Sequence, residues 1–370
     1  MKVCDTVKSI AILGAGNAGI SSAADMKARG YEVRLYELPE YEVTPDRLRA
    51  AGKITLTRPG KDPVEVVPDL YTTDIKAAVE GADVIMFTIN TLLTERFSEL
   101  LAPVVTENQV LFFNGAAEMA PVRFANKAKE LGIEKDFNLC ETSTLTYGCR
   151  ANAAEGSAYI GLDVRRVCFS AYPASKTDEL YRVCSQLYPY LFPGKNIFHT
   201  FLENMNAEVH PGPVVLNAGR VESMGDTFNL YEHGMTPSVI RVVLGVEKER
   251  RALGEALDIP LIDGMDMRHA EGYVDESITD LHYAFTTEPT YMMAKGPSTL
   301  QARYLTEDAP MALALYTSLG HAIGVDISVC ESILTLAGCL MDSDYKNEGL
   351  TLERLGWGGL NRDQLLEVVS

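Results

Sequence analysis

Apolar positions in the first half of the chain fall into short solid blocks, while those of the second half recur at a helical spacing. The blocks at 9–13, 31–36, 84–89, 110–113 and 137–140 read as strands buried on both faces. Between them, 74–80, 95–105 and 117–131 carry helical periodicity, so strand and helix alternate as in a doubly wound parallel sheet. Residues 53–57 and 64–67 flank Pro59-Gly60 and read as a hairpin inserted into that series. Two more strands are expected within 159–171, a helix at 176–188 and a last short strand near 196–198. Beyond residue 200 the spacing predicts only helices, at 202–209, 213–223, 238–257, 311–323 and 329–341, with a short element near the C-terminus. Ser238, next to Pro237, reads as the N-cap of the longest one. The expected fold is an α/β N-terminal Rossmann-type doubly wound sheet over 1–200 followed by an all-α C-terminal domain over 201–370.

Composition narrows the function. The chain has 370 residues, enough for two cores, and 46% hydrophobic content, which suits a globular enzyme. A formal net charge of -18 repels nucleic acid and anionic membrane, so neither is an expected partner. Seven scattered cysteines, with no CxxC pair, read as reduced thiols and not as a zinc site. His199, His233 and His321 lack ligand spacing, and no metal is expected. The N-terminal apolar run is too short for a secretory signal and no later run approaches a membrane span, so the chain reads as cytoplasmic, soluble and full-length.

The first strand runs into Gly14-Ala15-Gly16-Asn17-Ala18-Gly19 and then into a helical segment. This is GxGxxG between strand and helix, where it binds a dinucleotide: Gly14 for the turn, Gly16 for approach of the pyrophosphate, Gly19 for close packing. The phosphates would sit on the helix N-terminus. Glu37 ends the second strand, where a carboxylate accepts from the adenosine ribose hydroxyls. NAD(H) is therefore favoured over NADP(H), with Arg34 and Arg49 keeping the latter open. Strand ends at Thr88-Ile89-Asn90, Asn114-Gly115 and Glu141-Thr142-Ser143 are expected to face the cofactor, with Asn90 and Asn114 as the contacting side chains.

The helical half holds the candidate chemistry. His210 precedes Pro211-Gly212-Pro213 and lies four residues after Asn206, so the two share a helix face. Arg303 could fork onto an organic carboxylate, and Asp308 could fix the tautomer of a histidine and support its charge. Spacing alone equally allows an Arg303–Asp308 surface ion pair and a structural His210.

These residues lie in segments that resemble the opine dehydrogenase family. The resemblance covers nearly the whole chain: GAGNAG, ETSTLTYGCR at 141–150, NMNAEVHP at 204–211, LNAGRVES at 216–223, YEHGMTPSV at 231–239, GPSTLQARYLTEDAP at 296–310 and the tail DYKNEGLTLERLGWGGL. It implies NAD(P)H-dependent reductive condensation of an α-keto acid, pyruvate being the expected one, with the amino group of an amino acid. It also implies that His210 is the catalytic acid/base, Asp308 its dyad partner and Arg303 the clamp on the keto-acid carboxylate, with Asn206 beside the substrate. Selection of the amine would fall within 263–295. The partners expected are thus two small molecules, with a homodimer possible. Two other readings stay open on the residues: a 2-hydroxy acid or ketopantoate-type reductase, and a dinucleotide-sensing module without turnover.

Overall fold

Ser9–Leu13 (β1) is buried at all five positions and passes directly into Gly14, so one apolar run sets both the centre of a sheet and its ligand end. The computed structural model describes residues 3–116 and 118–370. Ala117, the expected first residue of the helix at 117–131, lies outside them, as do Met1 and Lys2. The chain divides into two compact units, one ending at Phe201 and including Val369–Ser370, the other Leu202–Val368. Val369 joins the first unit by accepting from the Ala174 amide at 2.9 Å.

In the first unit the helices are Asn17–Ala28 (α1), Val43–Ala51 (α2), Ile75–Val79 (α3), Thr94–Leu101 (α4), Ala120–Glu130 (α5) and Thr177–Cys184 (α6). The strands after β1 are Glu32–Tyr36 (β2), Ile54–Arg58 (β3), Lys61–Val66 (β4), Leu70–Thr72 (β5), Val84–Phe87 (β6), Val110–Ala116 (β7), Asn138–Thr142 (β8), Tyr147–Asn152 (β9), Ser157–Asp163 (β10), Val167–Tyr172 (β11) and Leu191–Pro193 (β12). Eight of them form one sheet in the order β12-β11-β8-β7-β6-β1-β2-β5, parallel except where β11 meets β8. The order reverses between β1 and β6, the crevice where open α/β sheets take ligands. The remaining four form a second sheet, β4-β3-β10-β9, built from the expected hairpin and two later strands.

One expectation is corrected here. The segment expected as a strand near 196–198 is helical, Ile197–Glu203 (α7), and the strand falls earlier, at β12. Pro193 stops the strand, and Asn196 turns the chain by accepting from the Phe198 amide at 3.1 Å. Strands β5 and β9 and helix α2 had no expectation at all, because each is short and mostly half-exposed, which leaves no apolar block.

The second unit is helical: Asn206–Val209 (α8), Pro211–Leu216 (α9), Ala218–Met224 (α10), Pro237–Ala256 (α11), Gly264–Glu271 (α12), Leu281–Thr287 (α13), Pro289–Ala294 (α14), Arg303–Thr306 (α15), Ala314–Ile323 (α16), Ser328–Met341 (α17), Tyr345–Glu348 (α18) and Arg362–Val368 (α19). The expected cap Ser238 lies inside α11, donated to by Arg241 at 2.7 Å, and Thr236 holds the N-cap position with Pro237 at N1. Helices α12 to α14 were not expected, since their apolar positions are too few for a visible stripe. His269 lies on α12, and His282 and Tyr283 on α13. Trp357 in the tail motif is buried. Among the described residues no helix is long and apolar enough to cross a membrane.

Candidate active site

At the end of β1, Gly14 has φ +94°, and a Cβ there would sit 3.0 Å from both the Thr88 carbonyl oxygen and Ile89 Cγ2. A Cβ on Gly19 would lie 1.7 Å from the Gly14 oxygen. Those two glycines serve the protein's own packing. Gly16 differs: it is exposed, and a Cβ there would meet nothing within 4 Å. The first backbone bond of α1 runs from Ile20 N–H to the Gly16 oxygen, at 3.0 Å, which leaves the amides of Asn17, Ala18 and Gly19 ahead of the helix ladder. Free amides beside an open glycine fit a dinucleotide pyrophosphate, and these are the residues that would hold one.

The other expected cofactor residues are placed as follows. Glu37 turns Oε2 onto the Ala15 amide at 2.7 Å and Oε1 onto the Leu38 amide at 2.8 Å, so it already shapes the loop it was expected to complement. Asn90 is exposed and caps the turn at Thr91–Leu93, accepting from Leu92 N–H at 2.9 Å. Asn114 does not face outward. It is buried, donates to Thr146 Oγ1 at 3.0 Å and Tyr188 Oη at 3.1 Å, and accepts from the Thr146 amide at 3.3 Å, which makes it an internal cross-link of the sheet. Arg34 and Arg49, held open for a 2′-phosphate, are engaged elsewhere, with Glu32 and with Asp46 respectively. At the end of β8, Glu141 is buried and accepts from Thr200 Oγ1 at 2.8 Å and the Ala120 amide at 3.2 Å. Burial pushes its carboxyl up to about 8.

In the second unit, His210 is the joint between α8 and α9. Its amide donates to the Asn206 oxygen at 3.0 Å and its carbonyl accepts from Val214 at 3.1 Å. Pro211 takes N1 of α9, where a missing N–H costs nothing, so the Pro-Gly-Pro run restarts a helix rather than merely ending one. His210 Nδ1 lies 2.8 Å from Asp308 Oδ2. Asp308 is 1% exposed and turns its other oxygen to Arg303 Nη1 at 3.9 Å. Tyr304 stacks on the imidazole at 3.8 Å with 14° between planes, and the Arg303 guanidinium lies 5.7 Å from the Tyr304 ring centre. Arg303 and Asp308 are thus neither an isolated surface pair nor separate from the histidine. Burial holds His210 below its usual pKa, and the attraction of Asp308 works against that. With Nδ1 facing a carboxylate, the ring's other nitrogen, Nε2, is the one that can exchange a proton with a ligand.

The spacing argument missed what lies behind the histidine. Glu208, two residues before His210 and so on the opposite helix face, is fully buried and accepts from Arg250 Nε of α11. Arg268 Nη2 of α12 approaches its other oxygen at 3.6 Å. Arg250 also donates to the Leu202 carbonyl and Arg268 to that of Gly264. The two arginines thereby tie α8 to α11 and α12. The two-residue offset from His210 was the available signal. Tyr304 was equally visible, between Arg303 and Asp308, but nothing in a sequence shows ring stacking. Beside α11, α12 and α13 lies a cavity of about 430 Å³, walled by Ile240, Leu244 and Leu281 with Asp263, Asp280 and His282. Among the described residues, no group of histidine, cysteine or carboxylate side chains is arranged to hold a metal, and none of the seven cysteines is in a disulfide.

A dinucleotide loop in one unit and a histidine–aspartate pair with an adjacent arginine in the other define a nicotinamide-dependent dehydrogenase of an acid substrate. Residues 193–341 match the model of the NAD/NADP octopine/nopaline dehydrogenase alpha-helical domain. The opine dehydrogenase of Arthrobacter sp. (strain 1C) is 31% identical over 353 residues, 95% of this chain and 96% of that one. Two solved structures share the fold across 98% or more of this chain and 98% of theirs. They are octopine dehydrogenase with NADH and L-arginine, TM-score 0.74 at 20% identity, and yersinopine dehydrogenase with NADP+, TM-score 0.68 at 16% identity. The chain belongs to the opine dehydrogenase family. It is accordingly an NAD(P)-dependent oxidoreductase acting on the CH–NH group, joining an α-keto acid to the amino group of an amino acid and running the reverse oxidation.

Proposed function

We propose that His210 is the acid/base of this reaction, Asp308 the group that supports its charge and Arg303 the clamp on the keto-acid carboxylate. The 2.8 Å contact between His210 Nδ1 and Asp308 carries the reading, because it leaves Nε2 to face substrate. The keto acid, for which pyruvate is the smallest that fits the description, is attacked at its carbonyl carbon by the amine. Protonated His210 gives its Nε2 proton to the oxygen, which departs as water when the carbon–nitrogen double bond forms. The bound nicotinamide supplies the hydride that reduces this imine to a secondary amine. Arg303 holds the carboxylate by two parallel bonds and fixes which face of the carbon is presented, with Asn206, one turn before His210, beside it. In the oxidative direction neutral His210 takes the proton from the water that adds to the imine.

NADH is the proposed coenzyme. Gly14, Gly16, Asn17, Ala18 and Gly19 form the phosphate cradle, and Glu37, with Ala15 on one of its oxygens, still has lone pairs for the ribose hydroxyls. Asn90 follows β6, the strand paired with β1; Asn114 acts from inside the sheet. The amine's side chain is assigned to the cavity along α11 to α13, and seven cysteines outside any disulfide fit a cytoplasmic enzyme.

The test is to supply purified protein with NADH and pyruvate, with and without each amino acid in turn. NADH is expected to be consumed only when both substrates are present. Equal turnover with keto acid alone would identify a hydroxy-acid reductase instead. NADH binding without turnover on any pair would identify a sensor.

A further inference from the structure

The motif that ends in Arg150 lies outside the histidine site, yet its strand touches the most exposed part of the dinucleotide loop. Strand β9 is the edge of the second sheet. Its Ala151 amide donates to Asn17 Oδ1 at 2.8 Å, and Cys149 Sγ reaches the Asn17 carbonyl at 3.6 Å. Asn17 is the first residue of α1, so β9 fixes the mouth of that helix from the side. In an antiparallel strand, residues two apart present their backbone groups to the same edge, so the Cys149 carbonyl lies on the edge that carries Asn17. Arg150 bends back to exactly that carbonyl, its Nη1 donating to Cys149 O at 2.9 Å. The guanidinium therefore rests at the strand edge next to the helix N-terminus.

Its surroundings differ from those of several arginines in this unit. Arg58, Arg34, Arg49 and Arg123 each meet a carboxylate. Arg150 is exposed, and among the described residues no carboxylate pairs with it. Its charge is left whole beside an anion-binding helix end, in a protein whose net charge of -18 opposes a phosphorylated ligand.

We propose that Arg150 is a ligand of the cofactor's pyrophosphate, closing from β9 over the amides of Asn17 to Gly19. This rests on the dinucleotide reading above. The pyrophosphate, and not a 2′-phosphate, is the group in question, because Arg150 stands at Asn17, whereas the ribose belongs to Glu37 at the end of β2. A guanidinium can give two parallel hydrogen bonds to phosphate oxygens, and a lysine in its place would keep charge but lose the fork.

The experiment is equilibrium titration of wild type, Arg150→Gln and Arg150→Lys with NADH, NADPH, ADP-ribose and adenosine, together with the Tm of each ligand-free protein. For Arg150→Gln, Kd is expected to rise by a common factor, on the order of tenfold to a hundredfold, for the three pyrophosphate ligands. Adenosine and Tm stay unchanged, and Arg150→Lys falls between. Unchanged NADH affinity overturns the assignment, as does a loss confined to NADPH, which would point to the 2′-phosphate. Equal weakening of adenosine, or a lowered Tm, overturns it in favour of a structural role. Failure of the wild type to bind NADH sinks the dinucleotide reading and this one together; normal wild-type binding with no Arg150→Gln effect sinks this one alone.

Discussion

His210 and Asp308 meet at 2.8 Å although 98 residues separate them in the chain. The same carboxylate points its second oxygen at Arg303, so one buried acid contacts the proposed proton donor and stands beside the proposed carboxylate clamp. Asp308 attracts the Arg303 guanidinium only weakly, because 3.9 Å separates them and the guanidinium is half-exposed.

This arrangement fixes a pH response. Burial lowers the His210 pKa from its ordinary value of 6.5, and Asp308 raises it part of the way back. Asp308→Asn removes that support, so the acidic form survives only at lower pH. The kcat/KM of reductive condensation is expected to fall by about a hundredfold to ten-thousandfold, with its alkaline limb displaced to lower pH. A limb that stays in place would break the link between the two residues.

Arg303 is half-exposed, so its removal should act on substrate and not on folding. Arg303→Ala is expected to raise the keto-acid KM by roughly tenfold to a hundredfold while leaving Tm within a degree or so of wild type. Steady-state kinetics with each substrate varied separately decides the point: a rise confined to the amine KM would reassign the arginine.

Two glycines three residues apart, Gly16 and Gly19, should behave oppositely. Gly19→Ala forces a Cβ against the Gly14 oxygen and is expected to lower stability markedly. Gly16→Ala meets nothing in the protein and should fold normally, yet it places a methyl where the pyrophosphate is proposed to approach. Thermal melts paired with NADH titration separate the two; normal NADH affinity in Gly16→Ala would remove this glycine from the cradle.

Glu208 carries the charge balance behind the histidine. Glu208→Ala leaves Arg250 buried without its carboxylate and is expected to cost about 3–5 kcal/mol. Urea unfolding measures it, and a loss below about 1 kcal/mol would mean that water already shares the site.

Glu141 gives a separate signature. Its carboxyl titrates at about 8 in the folded protein against an ordinary 4.5, so the folded state holds a proton that the unfolded chain has released. Stability therefore falls as pH rises between those values, at about 1.4 kcal/mol per pH unit. Glu141→Gln does not titrate, and its stability should decline less steeply over that window. Parallel curves for the two proteins would show that the carboxyl is ionised when folded.

The alternating first half was legible because its strands are buried on both faces and so leave solid apolar blocks; β5, β9 and α2 are half-exposed and left none. The dyad was legible only in part. His210, Asp308 and Arg303 could be named as residues, but their meeting depends on α15 folding back onto the α8–α9 joint, which no local pattern encodes. Arg250 and Arg268 were invisible for the opposite reason: charged residues at helical spacing read as a solvated face, and only the packed structure reveals both of them buried around Glu208. Asn114 shows the limit of position-based reasoning, since a strand end facing a crevice can still turn its side chain inward.

The double engagement of Glu37, with the Ala15 amide on one oxygen and the Leu38 amide on the other, bears on any attempt to change the coenzyme. Replacing this acid with a small or basic residue to admit a 2′-phosphate would also withdraw the acceptor that holds the Ala15 peptide. Under the coenzyme role proposed for Glu37, loop shape and coenzyme choice rest on one side chain, and a redesign has to supply a new anchor for Ala15.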